Sequence, residues 1–348
     1  MPFLAYLHKA ADRENLSAVE AETLMELILG GEISTARIAS FLVALRMKGE
    51  TPEEILGFAR AMRARAVKIA PGISGEPLLD TCGTGGDNSC TFNISTVAAI
   101  VSAGAGVKVA KHGNRSLSSL CGSADILEGL GVNIMLSPEQ IGECIRETGI
   151  GFMFAPAIHP AMKSAQQARQ ELKMRTAFNL LGPLTNPAGA TVQVVGALSV
   201  RAAELIAQTL ASLGLSRGYV VHGRDGLDEI TTTGETLVLE IRSGAIAHHV
   251  VTPADFGVSQ AKPEDLKGAD LAANCAIARA VLDGAKGPAR DIVLVNSSAA
   301  LVACGAAPDF KAGVALAAHS LDSGAARRTL LRLVRFTQQA TAEAVRAS

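Results

Sequence analysis

The run of residues 80–130, DTCGTGGDNSCTFNISTVAAIVSAGAGVKVAKHGNRSLSSLCGSADILEGL, constrains this chain more than any other. Gly83-Thr84-Gly85-Gly86-Asp87 places three glycines in four residues. The backbone there can take positive φ and bring its amides close to a ligand. Such a turn forms a concave nest of amide hydrogens that suits an anion. The next helix starts near Asn93, Ser95 and Thr96, all good N-cap residues, and has an apolar body over 97–101. A glycine loop feeding a helix N-terminus is a phosphate cradle. It is not the dinucleotide fingerprint, because Asn88 stands where the third glycine would fall. Nor is it a P-loop, since no Gly-Lys-Ser/Thr follows.

Asp87 is the odd member of this loop. A carboxylate beside phosphate repels it unless a cation lies between, and Mg²⁺ accepts carboxylates, waters and phosphate oxygens together. The other reading is a loop Asp that caps its own turn. Residues 107–110 read as a short buried strand that delivers Lys111-His112-Gly113-Asn114-Arg115-Ser116, then Ser118 and Ser119. Lys and Arg four apart, with hydroxyls just after them, suit a phosphate and its ester oxygens. Asn114 offers both a donor and an acceptor. A solvated polar loop is the alternative. The position beyond a strand's carboxyl end, where open α/β sheets bind ligands, favours a site.

Around this stretch the chain reads as two units. Ser17-Ala18-Val19-Glu20 and Thr51-Pro52-Glu53-Glu54 are capping boxes, and a further helix runs over about 35–47. Their apolar faces pack within the chain or against a second subunit. Residues 67–79, with Pro71, Gly72, Gly75 and Pro77, form a hinge-like link. Beyond it strands alternate with helices, which implies a largely parallel sheet covered by helices. Residues 236–241 and 245–251 read as a hairpin through Arg242-Ser243-Gly244. Net charge is -1, so no global attraction to nucleic acid or membrane is expected. No apolar stretch is long enough for a membrane span. The six cysteines contain no CxxC pair and read as reduced thiols of a cytoplasmic protein.

Two further places carry chemistry. The segment 159–187, HPAMKSAQQARQELKMRTAFNLLGPLTNP, opens a helix at His159-Pro160 and ends in a rigid loop with Pro183. Read alone, Arg169 on that helix is a solvated cation. Asp228-Glu229 follows a strand that ends at His222-Gly223. The pair is either a solvated turn or a Mg²⁺ site, and it serves as a site only if the turn bends the backbone or waters mediate.

The strings GTGGD, TFNIST, KHGNRS and GSAD stand in an order and spacing that resemble the anthranilate phosphoribosyltransferases of tryptophan biosynthesis. The likeness runs nearly end to end. It implies an α/β fold of the nucleoside phosphorylase/phosphoribosyltransferase type. A small helical domain over 1–70, joined by helices around 160–185, would make a homodimer. A large domain over 75–348 would hold a mainly parallel central sheet. The implied activity joins the phosphoribosyl group of phosphoribosyl pyrophosphate to the amine of anthranilate, the second step from chorismate to tryptophan. No nucleic acid or membrane takes part, and Mg²⁺ is used, two ions per subunit.

By the same resemblance, phosphoribosyl pyrophosphate is held by Gly83, Gly86, Asp87, Thr91, Asn93, Ile94, Ser95, Thr96, Lys111, His112, Gly113, Asn114, Arg115, Ser116, Leu117, Ser118, Ser119 and Ser123. Anthranilate meets Gly83, His112, Asn114, Arg169 and Pro183, with Arg175 a competitor for its carboxylate. A guanidinium grips a carboxylate with two parallel bonds. Mg²⁺ is held by Ser95, Asp228 and Glu229. No residue is assigned as general acid or base, because the aromatic amine is neutral at pH 7. Leu120-Cys121 departs from the Lys/Arg-Ser pair common in the family, which puts fine contacts there in doubt. The complete lack of Trp would benefit an enzyme needed when tryptophan is scarce, though the chain is poor in aromatics generally. Two other classes stay open: a pyrimidine nucleoside phosphorylase, which needs neither Arg169 nor Asp228-Glu229, and a nucleic-acid-binding relative, which would show a basic groove and broken motifs.

The link at 67–79 is expected to close a cleft between the two domains when both substrates bind. Hydrogen exchange should then slow across it on adding both ligands. Equal protection with and without them contradicts the hinge.

Overall fold

The computed structural model describes residues 2–87, 89–116 and 121–347. Asn88 and the expected ligand contacts Leu117, Ser118 and Ser119 lie outside the described residues, as does Leu120.

The chain begins with α1 (Pro2–Ala11), α2 (Ala18–Leu29), α3 (Thr35–Lys48) and α4 (Pro52–Arg65). Both capping boxes form. Ser17 Oγ accepts from Glu20 N at 3.3 Å while Glu20 Oε2 accepts from Ser17 N at 2.9 Å. Thr51 and Glu54 repeat the pattern at the start of α4. Glu54 goes further, because its carboxylate is fully buried. It accepts from Leu16 N at 2.9 Å and pairs with Lys48 Nζ at 3.0 Å, tying three segments of the bundle together. Phe3, Phe41 and Phe58 meet edge-on, each pair of rings 6.2 Å apart. α4 lies so close to α2 that a side chain at Gly57 would collide with the Ala18 carbonyl.

Strands and helices then alternate: β1 (Leu78–Gly83), α5 (Ile94–Gly104), β2 (Lys108–Gly113), α6 (Ser123–Gly129), α7 (Pro138–Thr148) and β3 (Ile150–Phe154). A helical excursion follows, with α8 (Ala155–Ile158), a 3₁₀ turn at Pro160–Met162, α9 (Lys163–Leu172) and α10 (Phe178–Leu181). The chain returns to β4 (Val192–Gly196), α11 (Val200–Ser212), β5 (Arg217–Gly223), β6 (Thr236–Arg242) and β7 (Ala245–Val251). It closes with α12 (Leu271–Leu282), α13 (Pro288–Ala303), α14 (Phe310–Asp322) and α15 (Ala325–Ala347).

The seven strands form one sheet in the order β3-β2-β1-β4-β5-β6-β7. The first five in that order run parallel, and β6 and β7 add an antiparallel edge. The β6–β7 turn uses Ser243 at φ 49° and Gly244 at φ 84°, the positive-φ pair that a tight hairpin requires. One face of the sheet is covered by α5 and α13, backed by α14 and α15. The other packs against α11 and the helical bundle: Phe41 and Phe58 share one apolar core with Val195, Val220 and Leu239. α9 packs on α2 and α3, so the 163–172 segment rejoins the bundle.

Two readings change. The strand expected at 107–110 runs on to Gly113, so Lys111 and His112 are buried strand residues rather than parts of a polar loop. The helix expected to open at His159-Pro160 opens instead as a 3₁₀ turn over Pro160–Met162, with the α-helix starting at Lys163. β4, beside β1 at the centre of the sheet, has no counterpart in the sequence reading. The link at 67–79 is pinned in its first half, where Val67 N donates to Ile158 O and Ile69 N to Pro187 O. Arg146 also donates to Pro71 O at 3.0 Å. Its unpinned part holds Gly72 and Gly75, both at positive φ.

Glu54→Ala would leave the buried Lys48 ammonium unpaired and two backbone amides without acceptors. The expected cost is about 3–5 kcal/mol, read from the denaturant midpoint. A loss below about 1 kcal/mol would place the pair among surface ion pairs.

Candidate active site

The parallel register brings the carboxyl ends of β1, β2 and β4 to one edge. Gly83 ends β1 opposite Gly196, which ends β4. The chain then turns through Gly85 at φ 66° and Gly86 at φ 79°. Thr84 N donates to Gly196 O at 2.9 Å, which fixes the turn to β4.

The turn after β5 lies directly on this edge. Gly85 N donates to Asp228 Oδ2 at 2.9 Å, and Ser95 N donates to Glu229 Oε1 at 3.0 Å. The backbone bends through 228 and 229, so these adjacent carboxylates reach the glycine turn and the start of α5 together. A side chain at Gly196 would collide with the Asp228 carbonyl, and one at Gly83 would come within 2.7 Å of Asp228 Oδ2. Gly196 is therefore a site residue the sequence reading missed. Its signal was a glycine closing an apolar strand.

Asp87 caps its own turn and also reaches the Asp228-Glu229 pair. It accepts from Ser89 N at 3.3 Å and from the Ser89 hydroxyl, as a turn carboxylate does. It also accepts from Asp228 N at 3.5 Å, so its charge stands beside the pair. Burial, then the charge of Asp87, pushes the Asp228 carboxyl up. Burial, then Asp228, pushes Glu229 up. These crowded acids lack an internal cation equal to their charge, and a divalent ion would relieve the repulsion. Among the described residues no ready-made group of three or more His, Cys, Asp or Glu ligands stands assembled.

α5 begins at Ile94, and its N-cap residue Asn93 makes no capping bond. The Asn93 amide instead donates to Cys121 O at 3.0 Å, joining the cradle to the segment before α6. Ser95 and Thr96 lie inside the first turn, not at the cap. Thr91 bridges to Lys267 across the mouth.

Lys111 and Arg115 part company. Lys111 is 2 % exposed and donates to Thr81 O and Thr81 Oγ1. Arg115 is exposed and binds Asp125 at 2.7 Å and Glu128 at 2.6 Å. They do not form one phosphate clamp in this structure. Asn114 N donates to Ser123 Oγ at 3.2 Å, and Asp125 accepts from Gly122 N at 2.8 Å and Ser116 N at 3.4 Å. These bonds shape the loop after Gly113.

On the other side, His112 is 6 % exposed and shares a 3.1 Å bond with Gly182 O, so Nδ1 carries the proton. Its ring lies 5.1 Å from that of His159, edge-on. Burial holds both neutral, with His112 down to about 3 and His159 to about 4. Among the described residues, Nε2 of each ring and Asn93 Oδ1 are buried without a partner. His159 was read from sequence only as a helix start. Pro183 is buried beside Gly182. Arg169 lies over the Phe178 ring at 5.3 Å, and no carboxylate among the described residues pairs with it. Arg175 is committed elsewhere, donating to Gly86 O. Cys82 is buried and its thiol is pushed well up, as befits a packing residue.

Fold and site together define a two-part transferase with an acid-faced anion cradle. Residues 4–66 match the family model described as the glycosyl transferase family helical bundle domain, and residues 75–327 match that of its a/b domain. An anthranilate phosphoribosyltransferase of Solibacter usitatus is 60% identical over 97% of this chain and 99% of its own length. The crystal structure of the Thermus thermophilus enzyme superposes with a TM-score of 0.90 at 46% identity, covering 96% of this chain and 99% of that one. The Saccharomyces cerevisiae enzyme, in complex with PRPP and Mg, gives 0.89 at 27% identity, over 97% and 98%. The chain belongs to the anthranilate phosphoribosyltransferase family.

The raised acids make stability depend on pH. Asp228 rises from 3.8 to about 7 and Glu229 from 4.5 to about 8. The folded state thus holds protons that the unfolded chain has lost, and metal-free protein should lose stability as pH rises through that window. Asp228→Asn/Glu229→Gln should flatten the slope in thermal melts. An unchanged slope would place its origin elsewhere.

Proposed function

We propose that this chain transfers the phosphoribosyl group of phosphoribosyl pyrophosphate to the amine of anthranilate, releasing pyrophosphate, in tryptophan biosynthesis. One observation carries the reading: the Asp228-Glu229 turn faces Asp87 across a glycine loop and a helix start, in a chain of this family. Amides of the glycine turn hold phosphate oxygens, and those of the α5 start, which donate here to Phe92 O, Glu229 and Asn93 O, exchange these acceptors for them. Asp228, Glu229 and Ser95 hold Mg²⁺, two ions per subunit, together with phosphate oxygens and water. This fits a cation that takes one or two carboxylates plus substrate phosphates rather than a protein cage. When bound, the metal neutralises the departing pyrophosphate.

The acceptor lies between His112, Asn114 and Pro183. The neutral His112 presents Nε2 as an acceptor, since Nδ1–H is spent on Gly182. Arg169, half-buried over Phe178 and without a carboxylate partner among the described residues, takes the anthranilate carboxylate. Leaving-group neutralisation and alignment then supply most of the rate, without a general base. The helical bundle forms the homodimer contact; Leu4, Val19 and Met47 are large apolar residues exposed on it. No described helix is long and apolar enough to cross a membrane, and we place the enzyme in the cytoplasm.

The test is loss of anthranilate fluorescence with purified protein, phosphoribosyl pyrophosphate and Mg²⁺. Wild-type loss should require Mg²⁺ and fall at least ~100-fold in Asp228→Ala/Glu229→Ala. Arg169→Ala should raise the anthranilate KM about 10- to 100-fold and leave that of the other substrate nearly unchanged. No fluorescence loss under any condition would overturn the reading.

A further inference from the structure

We propose that Asn296 is a positioning residue for Asp228 and Glu229, on the reading above that these acids hold Mg²⁺. From α13 it clamps the main chain one residue beyond Glu229 and so sets where the two carboxylates stand over the start of α5. Asn296 Oδ1 accepts from Ile230 N at 3.0 Å, and its Nδ2 donates to Ile230 O at 2.9 Å. The second amide proton goes to Ile292 O, one turn back in α13, at 2.9 Å. Asn296 and Ile230 are both buried, so these bonds satisfy main-chain groups deep in the protein. Holding the N–H and the C=O of one residue at once takes a donor and an acceptor side by side. Asparagine has both, whereas leucine and an ionised aspartate, of like size, do not.

Other bonds shape the connection between β5 and β6 without fixing it against α5. Gly223 N donates to Leu227 O at 2.8 Å, Leu227 N to Asp225 Oδ1 at 3.1 Å, and Thr231 N to Thr236 Oγ1 at 3.0 Å. The carboxylates themselves accept from Gly85 N and Ser95 N, but those are the amides that turn to phosphate when substrate binds. The Ile230 clamp uses no ligand-binding group, so it holds the turn whether the site is empty or full. Its base is firm. α13 packs on α5, β4 and β5. Ser297 Oγ donates to Ala98 O of α5 at 3.4 Å, and Ser298 Oγ donates to Phe310 O of α14 at 2.6 Å. Three consecutive buried polar side chains thus fasten the acid turn, α5 and α14 to one helix. The acids and the helix start that supplies Ser95 are held at a set spacing from behind.

The experiment titrates the Mn²⁺–pyrophosphate complex calorimetrically into the full chain. Wild type is compared with Asn296→Ala, Asn296→Ser and Ser298→Ala. Serine is the milder change, because its hydroxyl returns to the Ile292 carbonyl while it is too short to hold both Ile230 groups. Both Asn296 variants should bind the complex at least ~10-fold more weakly. Hydrogen exchange over 224–231 should quicken in the metal-free variants. In the transfer assay they should need about tenfold more Mg²⁺ for half-maximal rate. Excess Mg²⁺ should restore most of the wild-type kcat, with the KM for anthranilate unchanged. Ser298→Ala removes a bond of the same helix away from the acids, so it should lower the melting temperature and leave binding of the complex unchanged. Folded Asn296 variants that bind like wild type, equal weakening by Ser298→Ala, failure of both Asn296 variants to fold, or a wild type that does not bind the complex would overturn the proposal. A wild type that binds it yet transfers nothing to anthranilate would fail the functional reading alone, and the titrations would still judge Asn296.

Discussion

The site depends on one close approach: the turn carrying Asp228 and Glu229 lies on the ends of β1 and β4 with no side chain between. Gly83 and Gly196 make this possible, because a methyl group at either would meet Asp228. The approach gives each carboxylate a backbone amide donor, from Gly85 and from Ser95. Those same amides belong to the glycine turn and to the start of α5. Acids, glycine turn and helix start are therefore joined through a single contact.

The rest of the fold holds that contact rigid. α5 brings its amide-rich start to the edge and buries the remainder of its length in the main core. The helical bundle is not a loosely tethered domain, since its aromatic residues share a core with the second face of the sheet. α9 and α10 leave the sheet, pack on the bundle and return through the 182–187 loop. The buried His112 ring thus lies between its own strand and that loop. Charge across the site is strongly uneven. Three carboxylates crowd the glycine turn, while His112 and His159 are neutral and the partly buried Arg169 guanidinium lies over Phe178.

Much of this was legible in residue order. The capping boxes at Ser17 and Thr51, the hairpin through Ser243-Gly244 and the alternation of strand and helix are local features. Each depends on residues within a turn or two of one another. The glycine turn and the Asp228-Glu229 pair were legible for the same reason. β4 was not, because the five residues Val-Gln-Val-Val-Gly are too few to carry a period that separates a strand from a buried helix turn. Lys111 and His112 were misplaced in a polar loop, because a charged residue in a central strand reads as an end signal. Their partners, Thr81 for the Lys111 ammonium and Asp80 for the His112 amide, stand 30 and 32 positions earlier in the chain.

By itself the sequence determined most element types, the glycine turn and, through its motifs, the family. Those properties follow from short-range backbone preference and from residue chemistry that survives out of context. Only the tertiary structure decided what each charge does. It turned Arg115 outward to Asp125 and Glu128, spent Arg175 on the Gly86 carbonyl and left Arg169 without a carboxylate partner among the described residues. It joined Asp87 to a pair some 140 residues further along. The physical reason is that a buried charge takes its energy from whatever lies within a few ångströms, and that neighbourhood is set by strand order and not by chain order.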